Sequence, residues 1–163
     1  MDRRVKEAAR REARVCALAD WRRRLAGPAR GGQRVISAVL PVLEKWLERP
    51  RGQITFRVAQ VVTGHGCFGH YLCRIGWEMS PGCHHCGGDR DTAQHTLESC
   101  AAWDVRRRAL ITAVGGDLSL DAILRKILDR EDAWRAFAEF CEGVMKEKED
   151  AERDRRRMPL PGE

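Results

Sequence analysis

The stretch CHHCGGDRDTAQHTLESC, from Cys83 to Cys100, decides how this 163-residue chain is read. Two residues separate Cys83 from Cys86, eight separate Cys86 from His95, and four separate His95 from Cys100. A tight turn lets the first two thiolates grip one ion, and the longer loop returns an imidazole and a third thiolate to complete a tetrahedron. The spacing predicts one zinc ion with a structural role, because four protein ligands leave no position for a reactive water. His84 and His85 lie inside the ligand turn, yet Cys100 already fills the shell, so neither is expected to coordinate.

Outward from this centre the pattern is helical. Asp91 or Thr92 is placed to cap a helix carrying His95, with Cys100 just past its end. Upstream, Phe68, Tyr71, Leu72 and Ile75 suit one helix and Phe56, Ala59, Gln60 and Thr63 another, ended by Gly64 and Gly66. Val35 to Leu47 repeats its apolar residues at helical spacing, and Pro41 either begins or kinks that helix. The first 25 residues are rich in Ala, Arg and Glu without Pro or Gly, and their apolar stripe is thin. GPARGG (Gly27 to Gly32) breaks that helix, and Pro50 to Gly52 form a turn.

Downstream, Trp103, Leu110, Ile111 and Val114 mark a helix stopped by Gly115 and Gly116. Ser119 is placed to cap the next, with Ile123, Leu124, Ile127 and Leu128 inward. Trp134, Phe137, Cys141, Val144 and Met145 share one face of the last, and from Lys146 the composition is that of a solvated or frayed tail. Period-two alternation long enough for a sheet is missing. The fold class is therefore mainly α: a small helical domain organised around a CCHC zinc knuckle, with a basic N-terminal helix and a charged C-terminal helical tail. The expected segments are a basic arm and Gly/Pro-rich linker (1–34), a helical linker region (35–76), the knuckle (77–104), C-terminal helices (105–145) and the charged tail (146–163).

Charge points to an anionic partner. The chain carries 30 Lys plus Arg against 24 Asp plus Glu, a net +6. Up to Arg34 there are eleven basic and four acidic residues (11 − 4 = +7), so the remainder stands near −1. The excess is nearly all Arg, whose planar fork matches phosphate oxygens. Seven cysteines, an odd number, and an N-terminus without an apolar signal segment fit a reducing nucleus or cytoplasm better than secretion. No run approaches the length needed to cross a bilayer, so no membrane partner is expected.

The run TGHGCFGHYLCRIG (Thr63 to Gly76), Pro81, the CHHCG turn (Cys83 to Gly87), DTAQH (Asp91 to His95) and Cys100 resemble the C-terminal region of insect non-LTR retrotransposon reverse transcriptases. They are most similar to the type-one elements that insert into ribosomal DNA and their relatives. REAR (Arg11 to Arg14), Asp20 and Trp21, and WLER (Trp46 to Arg49) followed by Phe56 and Gln60 resemble that family's segment between polymerase and knuckle. The resemblance implies a parent polyprotein that is an RNA-directed DNA polymerase and endonuclease acting by target-primed reverse transcription. No paired-aspartate motif of the Tyr/Phe-x-Asp-Asp kind occurs here, so the expectation is a post-polymerase piece with no catalytic residue of its own.

A knuckle of this kind suits RNA or single-stranded or junction DNA, where bases stack on planar side chains and Arg holds phosphates. The nucleic-acid-binding candidates are Arg22, Arg23, Arg24, His84, His85, Arg90, Arg106 and Arg107. Trp77 and Trp103 flank the ligands as stacking platforms or, the commoner fate for Trp, as packing against the helices. Cys67 and Cys73 read as buried free thiols, His65 as a structural hydrogen-bonding residue, and Asp89 and Asp91 as solvated or capping acids. The alternative is a zinc-stapled protein-interaction scaffold, without direct nucleic-acid contact, in which the face around Trp134 and Phe137 docks onto the polymerase thumb or another chain. An independent zinc hydrolase would need an open coordination position and ranks last.

Overall fold

A computed structural model describes residues 2–28, 31–50 and 52–157. Ala29 and Arg30 of the GPARGG segment, Arg51 of the Pro50 to Gly52 turn and residues 158–163 of the charged tail lie outside the described residues. The described chain is mainly helical and has no strand. It divides into two units, Met1–Glu48 and Arg49–Glu163.

The first unit holds α1 (Arg3–Leu25), α2 (Gln33–Val39) and α3 (Leu43–Glu48). Asp2 caps α1, its carboxylate accepting from the Arg4 amide, while Arg22, Arg23 and Arg24 fill the last turn, where the helix dipole favours cations. As the thin apolar stripe implies, α1 buries no residue. Pro41 neither starts a helix nor simply kinks one. It sits in a single 3-10 turn, Leu40–Val42, between α2 and α3, because its ring excludes the α-helical hydrogen bond there.

The second unit contains α4 (Phe56–Thr63), α5 (Gly69–Arg74), α6 (Ala93–Glu98), α7 (Asp104–Val114), α8 (Leu120–Asp129) and α9 (Glu131–Arg157). Its spine is α9, against which α4, α7 and α8 pack. The core joins Val58 and Val61 of α4, Leu110 of α7, Ile123 and Leu124 of α8, and Phe137, Cys141, Val144 and Met145 of α9. Ser119 precedes α8 without capping it. Its hydroxyl donates to Asp117 instead.

The tail is where the expectation fails. Beyond Lys146 the chain remains helical to Arg157, and Lys148 is only 1 % exposed. Phe137, Cys141, Val144 and Lys148 continue one face at helical spacing, so the charged stretch is partly inside the fold. Among the described residues no helix is long and apolar enough to cross a membrane.

Candidate metal centre

Local rules bring the four ligands together. Gly87, with φ of 76°, takes the left-handed conformation that turns the chain back on itself after Cys86. Its amide donates to the Cys83 carbonyl and the Cys83 amide to that of Gly88, each at 2.8 Å. The Thr92 hydroxyl accepts from the His95 amide at 3.0 Å and so caps α6, which carries the imidazole. At the far end of α6 the Cys100 amide donates to the His95 carbonyl at 2.8 Å, turning the third thiol inward.

One ligand atom from each of Cys83, Cys86, His95 and Cys100 lies within 4.8 Å of the others, an arrangement able to hold a metal ion. The Cys83 and Cys100 sulfurs are 3.8 Å apart, and Cys86 Sγ is 3.3 Å from His95 Nε2. His95 Nδ1 meets the Ser99 hydroxyl at 3.1 Å, which can accept the ring proton there and leave the Nε2 lone pair free to ligate a metal among the sulfurs. Cys83 and Cys100 are buried, whereas Cys86 is exposed.

Burial pushes the Cys100 thiol up to about 12 and raises that of Cys83. At Cys86 burial also pulls upward, but the Gly88 amide and the two neighbouring thiols outweigh it and leave that group lowered. Burial lowers His95 as well, keeping its imidazole neutral and able to ligate near neutral pH.

Two buried charges hold this loop to the helices. Asp91, 3 % exposed, accepts from Lys148 Nζ at 2.9 and 2.8 Å and from the Gly69 amide at 3.0 Å. Lys148 Nζ also lies 5.4 Å from the centre of the Phe68 ring and 6.0 Å from that of Trp103. Asp91 is thus neither solvated nor the cap of α6. It fastens the ligand loop to both α5 and α9. Gly69 is required beside it, since a Cβ there would come within 2.2 Å of the Gly82 carbonyl oxygen.

Arg107 is the second anchor. It is 6 % exposed, and its guanidinium donates to the carbonyls of Leu97 at 2.7 Å, Thr96 at 3.2 Å and Cys100 at 2.6 Å. Those carbonyls end α6 and begin the Cys100 turn, so Arg107 positions a ligand rather than facing a phosphate. The nucleic-acid role expected of it has no surface to act from.

The remaining candidates are scattered in accessibility. Arg22 is forked onto Glu44 and reaches the Leu40 carbonyl, Arg23 pairs with Asp20, and Arg24 is exposed. His84 and Arg90 are exposed beside the ligand turn, the first 3.5 Å from Glu78 and the second 3.0 Å from His70 Nε2. His85 is half-buried and tilts against the Trp103 ring. Arg106 pairs with Glu147 of α9 and lies against Gly143 of the same helix.

Trp103, 3 % exposed, packs as expected, whereas Trp77 is 62 % exposed. His65 stacks on Tyr71. Cys67 and Cys73 are half-buried rather than buried, with burial pushing the Cys67 thiol up to about 11.

Compared with protein-family models, curated proteins and solved structures, the chain matches none. The case for function therefore stands on the residues themselves.

Proposed function

We propose that the cluster holds one structural zinc ion and that the chain binds nucleic acid, as the knuckle-bearing part of a retrotransposon reverse-transcriptase polyprotein that seats template RNA or target DNA. Zinc suits the donor set. Bonds of about 2.3 Å to sulfur and about 2.0 Å to nitrogen at tetrahedral angles give edges of about 3.8 Å between sulfurs and about 3.5 Å from sulfur to nitrogen. The distances of 3.8 and 3.3 Å in the structure lie close to those edges. Three thiolates also favour zinc over the oxygen-seeking magnesium and calcium.

The observation that carries the nucleic-acid reading is the cationic surface of α1. Arg4, Lys6, Arg10, Arg11 and Arg24 are exposed, and none has an acidic partner among the described residues. Exposed, unneutralised cations along a helix that buries nothing are suited to phosphates. The scaffold alternative has less apolar face to dock with, because Phe137 is fully buried and the half-buried Trp134 lies under Arg49 and against Gly52 within the same unit.

The test is titration of the zinc-loaded chain into labelled single-stranded and junction RNA and DNA at several salt concentrations. Affinity should fall steeply and linearly on a log–log plot against salt. Affinity that is absent, or indifferent to salt, ends the reading.

A further inference from the structure

A large apolar side chain left mostly in water on a rigid mount calls for an explanation, and Trp77 is such a residue. Its amide donates to the Leu72 carbonyl at 2.8 Å, tying it to the end of α5. The neighbouring Glu78 is held by Arg155 of α9 at 3.1 Å and lies 3.5 Å from His84 in the ligand turn. The backbone carrying the indole is thus fixed to α5, α9 and the metal loop, while the ring itself is 62 % exposed.

A guanidinium covers one face of the ring, and the helix end it is tied to carries a second planar and cationic group. The Arg156 guanidinium lies 3.9 Å from the Trp77 ring centre, and Arg74 lies 5.3 Å from that of Tyr71, whose ring stacks on His65 at 4.8 Å. The nearby acids are already matched, Glu78 by Arg155 and Glu152 by Arg156, whereas exposed Arg74 has no acidic partner among the described residues. Flat aromatic rings interleaved with guanidinium groups, with a cation to spare, complement a chain of flat bases joined by phosphates.

We propose that Trp77 is a base-stacking platform for single-stranded nucleic acid, with the Arg156 guanidinium stacked over one face of the indole and Arg74 on the adjoining end of α5. The proposal rests on the nucleic-acid reading above and adds where, and by what contact, an unpaired strand is held. Stacking on one aromatic ring is sequence-tolerant, so the surface should take RNA and DNA strands of mixed sequence.

The experiment compares zinc-loaded wild type, Trp77→Ala and Trp77→Tyr on RNA and DNA strands of about twelve nucleotides, intact or with abasic residues. Trp77→Ala should weaken binding to intact strands about tenfold or more, Trp77→Tyr should restore most of it, and abasic strands should weaken the wild type but not Trp77→Ala. Because the indole is uncharged, the salt slope should be the same in all three proteins.

Salt-sensitive wild-type binding that is equal for intact and abasic strands overturns the platform while leaving the nucleic-acid reading intact. That comparison needs no variant to fold. A Trp77→Ala protein with normal zinc content and undiminished affinity overturns it too, as does preference for duplex over single strands. Wild type with no salt-sensitive binding removes the parent reading and the platform with it.

Discussion

Lys148 and Arg107 are the two residues on which the ligand loop most depends, and each makes a separable prediction. Removing the Lys148 ammonium leaves the Asp91 carboxylate buried and unpaired, so Lys148→Ala should cost about 3–5 kcal/mol in urea unfolding. Replacing both members, as Lys148→Met with Asp91→Asn, should cost clearly less, since no bare charge is stranded. A single variant as stable as wild type would mean that the pair is not closed in solution. Arg107→Ala orphans the carbonyls of Thr96, Leu97 and Cys100, a loss of about 3 kcal/mol or more. The same change at exposed Arg108 should stay within about 0.5 kcal/mol. Metal retention against a competing chelator should fall with Arg107→Ala and not with Arg108→Ala, and equal retention would deny Arg107 its positioning role.

Helix α9 joins α4 through carboxylates, and that seam should respond to acid. The Thr55 hydroxyl, against the opposing pull of burial and with help from Arg57, holds Glu142 below the ordinary carboxylate range. Arg57 also bonds Glu149 at 2.8 Å, and Gln60 reaches the same carboxylate at 3.1 Å. As pH falls the unfolded chain protonates Glu142 before the folded chain does. The seam's contribution is therefore whole near neutrality and is lost as pH drops through the glutamate range to the lowered folded value. Urea midpoints measured from pH 7 down to about 3 should fall less steeply for Glu142→Gln than for wild type. Parallel curves would count against the seam.

The same helix shows what the sequence disclosed and what it concealed. Ile123, Leu124 and Ile127 announce α8 by period alone, and the Cys and His spacing announces the cluster able to hold a metal, because both signals are local. The buried end of α9 stays hidden, since a lysine on the inward stripe reads as solvent-facing until its acid, 57 residues earlier, is known. Arg107 is hidden for another reason. Beyond an ion pair with nearby Asp104, its partners are backbone carbonyls, which leave no mark in a sequence. Trp77 reads as packing because Trp usually packs, and only the fold exposes it.

Across the whole molecule the two units should part company when metal is withdrawn. Asp91 and Arg107 tie the cluster's loop to α5, α7 and α9, so a chelator or Cys86→Ser should abolish metal binding and part of the second unit's helicity together, as circular dichroism and metal analysis would report. Loss of metal with helicity unchanged would make the cluster ornamental to the fold. The first unit should not wait for the metal. Its long helix buries no side chain, so its amides should exchange quickly whether or not zinc is present.

The span between Asp91 and Lys148 also sets an order of events on the ribosome. All four ligands are synthesised well before the ammonium that neutralises the loop's carboxylate, so a nascent chain halted between Cys100 and Lys148 can gather its thiols yet must keep Asp91 in water. The loop can reach its final seat only after α9 has emerged, and until then metal held by the Cys/His cluster should exchange more readily with competing thiols and chelators.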